Sequence, residues 1–130
     1  MDFVDTSAWF AYFVPTDPNH QRVRACFHSH SGPLVTTDFC VDETLSLLVY
    51  RRELRRALEA GRALFEANIA QLHFVTPGQV SRAWIVFQQR AGAGWSFTDC
   101  TSKVVIDELS VTMAVALDNH FQQFGIAVVP

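Results

Sequence analysis

The chain has 130 residues, 49% of them hydrophobic and 18% charged, with a formal net charge of −3. A chain of that length buries about two-thirds of its unfolded surface, enough for one self-sufficient core, and its apolar content excludes a disordered protein. The acidic balance excludes a global positive field for nucleic acid, the lack of a charge-free apolar run of about 18 residues argues against a membrane span, and the opening MDFVDTSAWF has no basic region and is not expected to be a signal peptide. Along the chain, residues 3–4 read as the end of a short strand and 7–13 as a short helix. Asp17-Pro18 reads as a helix start, with Asp as N-cap and Pro in the first turn, and that helix is expected to reach about residue 30, before Gly32-Pro33. Residues 34–36 form a second strand, 38–50 a strongly apolar helix, 52–70 a long helix and 72–75 a third strand. Thr76-Pro77-Gly78-Gln79 has the form of a capping box, starting a helix to about Arg90 that Gly92 and Gly94 break. Ser96 and Asp99 cap the next helix, 97–108; a strand at 111–115, a short helix at 119–123 and a strand at 126–129 complete the series.

Short apolar strands alternating with helices, without polar alternation along the strands, predict a parallel sheet covered on both faces, an α/β domain. There is no repeat and no interdomain linker, so residues 1–130 are expected to form a single domain. Cys26, Cys40 and Cys100 are odd in number and widely spaced, which predicts free buried thiols in a reducing, cytoplasmic setting rather than disulfides or a zinc site.

Four carboxylates occupy informative positions. Asp5 follows the first strand, Glu43 lies inside the most apolar helix among Phe39, Leu47 and Leu48, Asp99 lies in the first turn of a helix, and Asp118 follows the fourth strand. Ligands of open parallel sheets bind outside the carboxyl ends of the strands, where Asp5 and Asp118 belong. A carboxylate on an apolar stripe such as Glu43 calls for a compensating charge, and a divalent cation supplies one. Each acid also has a plain structural reading: a turn acid at Asp5, a solvated acid at Glu43, a cap or a Lys103 partner at Asp99, and an N-cap at Asp118.

Taken together, FVDTSAW (3–9), TTDFCVDETLSLL (36–48), SFTDCTS (96–102) and ALDNHF (116–121) resemble a PIN-domain ribonuclease of the VapC type, the toxin of a toxin–antitoxin pair. The resemblance spans essentially the whole chain. It implies a three-layer α/β/α fold with a central parallel sheet, and a catalytic and metal-binding set of Asp5, Glu43, Asp99 and Asp118. Ser7 and Thr98 are expected to hold carboxylates or water in place. The family often has Thr or Ser two residues before the last acid, where this chain has Ala116. The implied activity is hydrolysis of RNA phosphodiester bonds, leaving a 5′-phosphate and a 3′-hydroxyl, with Mg²⁺ or Mn²⁺ as the hard cation that oxygen ligands favour. An RNA substrate, a cognate antitoxin and a homodimer are the implied partners. Setting the four acids aside, the remaining formal charge is +1. Any basic patch is then local, and Arg51, Arg52, Arg55 and Arg56 are its candidates for RNA or antitoxin contact, against a plain solvated helix face. His120, the one histidine near a proposed site acid, is expected at the surface or at a helix end, against the alternative of a contact to phosphate. The alternatives are a non-catalytic PIN-fold interaction module and a different Mg²⁺-dependent phosphoryl-group hydrolase. No phosphate-cradling glycine motif supports an NTPase or a dinucleotide enzyme.

Overall fold

The computed structural model describes residues 1–130. Its elements are β1 (Asp2–Val4), α1 (Thr6–Phe13), α2 (His20–Ser29), β2 (Leu34–Thr37), α3 (Asp38–Tyr50), α4 (Leu54–Phe65), β3 (Gln71–His73), α5 (Pro77–Arg90), α6 (Phe97–Glu108), β4 (Met113–Val115) and β5 (Ala127–Val129), with 3-10 turns at Ala91–Ala93 and Asn119–Gln123. The sheet order is β3-β2-β1-β4-β5, and all four pairings are parallel. Helices cover both faces, giving the three-layer α/β/α architecture that the sequence implies. No helix is long and apolar enough to cross a membrane.

The three-residue strands divide their side chains between two cores because successive residues point to opposite faces. Phe3 and Ala114 enter the core beneath α5 and α6, with Cys100, Val105, Ile106 and Phe121. Val4 and Val115 enter the core beneath α1 to α4, with Trp9, Val23, Leu48 and Leu64. Trp9 is fully buried, and its indole N–H donates to Thr36 Oγ1 at 3.0 Å. The Thr36 hydroxyl in turn donates to the Val4 carbonyl at 3.0 Å, tying α1 to both central strands. Burial of each such large side chain contributes about 1.5–3 kcal/mol. Cys40 and Cys100 are buried free thiols and Cys26 is a half-buried one.

Both capping boxes form as expected, at Thr76/Gln79 and Ser96/Asp99. Several boundaries differ. The strand placed over 72–75 spans Gln71–His73, and the Val75 N–H donates instead to Asp38 Oδ1 at 2.8 Å. The helix placed from Asp17-Pro18 starts at His20, because the Asp17 carboxylate accepts the Asn19 N–H at 2.8 Å in a separate turn. The helix placed over 52–70 runs only from Leu54 to Phe65. Ala67 ends it with φ of 53° while Asn68 N–H returns to Ala63 O, a left-handed helix stop without glycine. Ser110, with φ of 54°, ends α6 the same way and takes Val111 N–H back to Ile106 O, so β4 starts at Met113 and not at 111.

Candidate active site

The chain passes from β1 outward through β2 and β3, then returns to place β4 on the other side of β1. Where the order reverses, the crevice between the carboxyl ends of β1 and β4 is the place where such sheets bind ligands. Asp5 stands directly after β1, and Asp118 follows β4. Because α6 leads into the parallel strand β4, its N-terminus lies at the same edge, and Asp99 is its third residue. β2 enters α3 with no intervening loop, so Glu43 sits on the helix that rises from that edge.

Each aspartate commits one oxygen to local structure. Asp5 Oδ2 accepts the Ser7 N–H at 3.2 Å and the Ser7 hydroxyl at 2.7 Å. Ser7 Oγ also accepts the Leu117 N–H at 2.9 Å, bridging the segments that leave β1 and β4. Asp99 Oδ2 accepts the Ser96 N–H at 2.9 Å, and His120 Nδ1 lies 3.0 Å from the same oxygen. Asp118 Oδ1 accepts the His120 N–H at 2.9 Å, with His120 Nδ1 at 3.2 Å. The cap and turn readings of these acids are therefore correct, and each still leaves its second oxygen without a protein donor. Lys103 is not a partner of Asp99; it reaches Asp107 and the Phe124 carbonyl.

Asp5 and Asp99 are 3% and 5% exposed. Burial pushes the Asp5 carboxyl up to about 7; the two Ser7 bonds oppose the rise, and the charges of Asp99 and Glu43 add to it. Glu43 is half-buried, and no protein donor reaches it. The Lys and Arg ion pairs all lie elsewhere, at Arg56–Glu59, Arg82–Glu108 and Lys103–Asp107. The acids thus form a concentration of negative charge with no ammonium or guanidinium against it, a donor set of oxygens that fits a hard divalent cation.

Among the other candidates, Ser7 bonds to Asp5, whereas the Thr98 hydroxyl reaches none of the acids. Thr98 contributes only its carbonyl, to Thr101, and Ser96 is the hydroxyl residue beside Asp99. Ala116 is buried in the core, and the nearby hydroxyl is again that of Ser7. Arg51 packs over the Phe10 ring at 5.8 Å and Arg56 pairs with Glu59, while Arg52 and Arg55 are exposed; none contacts the carboxylates. His120 is the residue that the sequence undervalues. It is half-buried, and one ring nitrogen bridges Asp99 and Asp118. Its spacing of two residues from Asp118 is the local signal, but contact with Asp99, 21 residues earlier, needs the fold.

Residues 3–126 match the PIN domain family. The 23S rRNA-specific endonuclease VapC20 of Mycobacterium tuberculosis is 30% identical over 129 residues, covering 99% of this chain and 98% of the relative. A VapC ribonuclease of Archaeoglobus fulgidus is 29% identical over 126 residues, covering 91% of this chain and 77% of the relative. The crystal structure of M. tuberculosis VapC20, described as a Sarcin-Ricin loop cleaving toxin, superposes with a TM-score of 0.93 at 28% identity over 100% of both chains. FitAcB from Neisseria gonorrhoeae shares the fold, with a TM-score of 0.72 at 14% identity over 100% of this chain and 97% of that one. With its carboxylates gathered at the β1–β4 crevice and relatives of this kind matching along its whole length, the chain belongs to the PIN domain family, among its VapC-type members.

Proposed function

We propose that residues 1–130 act as one nuclease domain: a divalent-metal-dependent endoribonuclease that is the toxin of a toxin–antitoxin pair. The observation that supports this reading is that Asp99 and Glu43 act on the buried Asp5, and Asp118 lies beside Asp99, where no Lys or Arg pairs with any of them. Asp5 and Asp99 are the direct metal ligands in this reading, each through the oxygen not used in local structure. Glu43 ligates or orients a water, and Asp118 completes the set at the rim.

A bound Mg²⁺ or Mn²⁺ supplies activation of an attacking water and neutralisation of phosphoryl oxygens. The chain's own residues fix the geometry. Ser7 locks the Asp5 rotamer through two bonds and connects it to the backbone after β4. The α6 capping box holds Asp99 in place through Ser96. Phe121 is fully buried and packs against Phe124 with the rings tilted by 32° and their centroids 4.3 Å apart, anchoring the turn that carries Asp118. Carboxylate rotamers set in advance need no reordering when cation and phosphate arrive.

RNA is the proposed substrate, and the relative's cleavage of the sarcin–ricin loop makes a structured 23S rRNA loop the first one to test. Arg51, Arg52 and Arg55 offer exposed guanidinium groups for phosphate or for an acidic antitoxin segment, with Arg56 beside them. A homodimer and a cognate antitoxin belong to the same reading. The exposed Val49, Tyr50, Leu54, Leu58 and Phe65 provide apolar surface for them. The deciding experiment incubates purified protein with that RNA loop in EDTA, Mg²⁺ or Mn²⁺ and analyses the ends. Metal-dependent 5′-phosphate products are expected; metal binding without cleavage would instead identify a non-catalytic module.

A further inference from the structure

His120 is the nitrogen donor in an otherwise oxygen-lined site. Its Nδ1 lies 3.0 Å from Asp99 Oδ2 and 3.2 Å from Asp118 Oδ1, and ligand atoms from all three residues lie within 4.8 Å of one another. Nδ1 thus stands beside both carboxyl groups, close enough for the imidazole and the two acids to share one small cation. A second observation comes from Asp5, which is nine-tenths buried or more, lies near Asp99 and has no cationic partner.

The ring is also held in position. The His120 backbone N–H donates to Asp118 Oδ1 at 2.9 Å. Next along the chain, Phe121 is fully buried against Phe3, with ring centroids 6.2 Å apart. Behind the ring, Gly94 has φ of +89°, and a Cβ there would stand 3.5 Å from His120 Nε2. The Gly94 turn therefore faces Nε2, and Nδ1 faces the acids. None of the other histidines approaches them through a hydrogen bond: His20 bonds the Ala11 carbonyl, His30 bonds Asp2 and His73 bonds Gln79.

We propose that His120 ligates the catalytic cation through Nδ1, and that this nitrogen makes the site favour nitrogen-accepting ions over Mg²⁺. The inference rests on the metal-site reading above. Ligation requires Nδ1 to give up the proton it donates to Asp99, either to solvent or by exchange through solvent to Nε2, so that its lone pair faces the cation. Mg²⁺ takes oxygen ligands, whereas affinity for imidazole rises along the first-row divalent ions from Mn²⁺ to Co²⁺. The affinity order expected is Co²⁺ above Mn²⁺ above Mg²⁺.

The test uses Mn²⁺ alone, without RNA. Pulsed electron paramagnetic resonance of the Mn²⁺-loaded protein is expected to show a directly coordinated ¹⁴N, absent from His120→Asn. That variant retains a side-chain N–H able to donate to Asp99, so a role confined to hydrogen bonding predicts unchanged ion preference. Ligation instead predicts that calorimetric affinity falls about tenfold or more for Co²⁺, less for Mn²⁺ and least for Mg²⁺. Thermal melts in EDTA check that the variant is folded. Mn²⁺ bound through oxygen alone, or identical ion preference in His120→Asn, overturns the role of His120 and leaves the metal-site reading standing. Failure of the unmodified protein to bind Mn²⁺ overturns both.

Discussion

Two aspartate–histidine contacts of nearly equal geometry lie at opposite edges of the sheet. At the amino edge, His30 Nδ1 is 3.0 Å from Asp2 Oδ2; at the carboxyl edge, His120 Nδ1 is 3.0 Å from Asp99 Oδ2. The first is one carboxylate with one imidazole, on a small cavity of about 240 Å³ lined by Cys26, Ser29, Ser31, Met113 and Val129. The second is one imidazole among a group of acids, with a buried carboxyl pushed up to about 7 beside them. The distance does not distinguish them. What separates a structural pair from a reactive site is the surplus of carboxylate over every protein donor, since unsatisfied buried charge is retained where an external cation completes it.

The largest test of that contrast replaces one acid at each edge. Asp5→Asn and Asp99→Asn are each expected to lower metal-dependent cleavage by more than about 100-fold, beyond the range usual for residues that only support a ligand. Asp2→Asn is expected to leave cleavage within about twofold and to lower unfolding stability by about 1–2 kcal/mol, as expected for removing one partly buried hydrogen bond to a charged group. Cleavage assays and chemical denaturation measure the two effects, and a comparable drop in the activity of Asp2→Asn would erase the distinction between the edges.

The second test uses pH. The raised pKa of Asp5 means that between about pH 4 and 7 the folded metal-free protein holds a proton that the unfolded chain has released. Its stability in EDTA is therefore expected to fall as pH rises through that window, and Asp5→Asn is expected to flatten the fall. Divalent-ion affinity should move the opposite way and increase with pH, because ligation needs the ionised carboxylate. Melting curves and calorimetry at pH 5, 6, 7 and 8 sharpen the comparison, since Asp2→Asn should preserve the rise of divalent-ion affinity with pH.

A smaller effect is expected at the arginines, which belong to neither edge pair. Arg51→Ala with Arg55→Ala should weaken RNA binding across sequences and reduce the log–log salt slope by roughly one for each phosphate that is no longer neutralised. An unchanged slope together with weakened antitoxin binding would assign the patch to the protein partner. The smallest effect belongs to Ala67→Gly. Removing a Cβ at φ of 53° should stabilise the fold by up to about 1 kcal/mol, read as a raised melting temperature, with cleavage unchanged.

These tests also mark which features are readable from the residues alone. The capping boxes, the apolar strands and the length of α3 are local, and spacing reveals them. The helix ends at Ala67 and Ser110 escape such a reading because stops in the left-handed region usually announce themselves with glycine, and here they do not. For the acids, residue types and positions suggest roles, but only the return of the chain to β4 beside β1 gathers Asp5, Asp99 and Asp118. Asp118-x-His120 is visible as a spacing; that the same imidazole reaches Asp99 depends on the buried Phe121 anchor and the Gly94 turn. The Thr98 hydroxyl makes no bond to a carboxylate, for a rotational reason. Its neighbour Asp99 uses Ser96, three residues back on the helix, as its hydroxyl partner.

The bond from Leu117 N–H to Ser7 Oγ spans 110 residues of sequence. It has a consequence for synthesis on the ribosome, which releases a chain from its N-terminus onward. Asp5 and Ser7 emerge well before their partners in the crevice, Ser7 and Leu117 lying 110 residues apart. Until β4 has docked against β1, the first acid stands beside an open strand edge and the site has no second wall. A chain stalled before β4 accordingly lacks that wall, and the crevice is complete only once the segment carrying Leu117 and Asp118 has emerged and folded back.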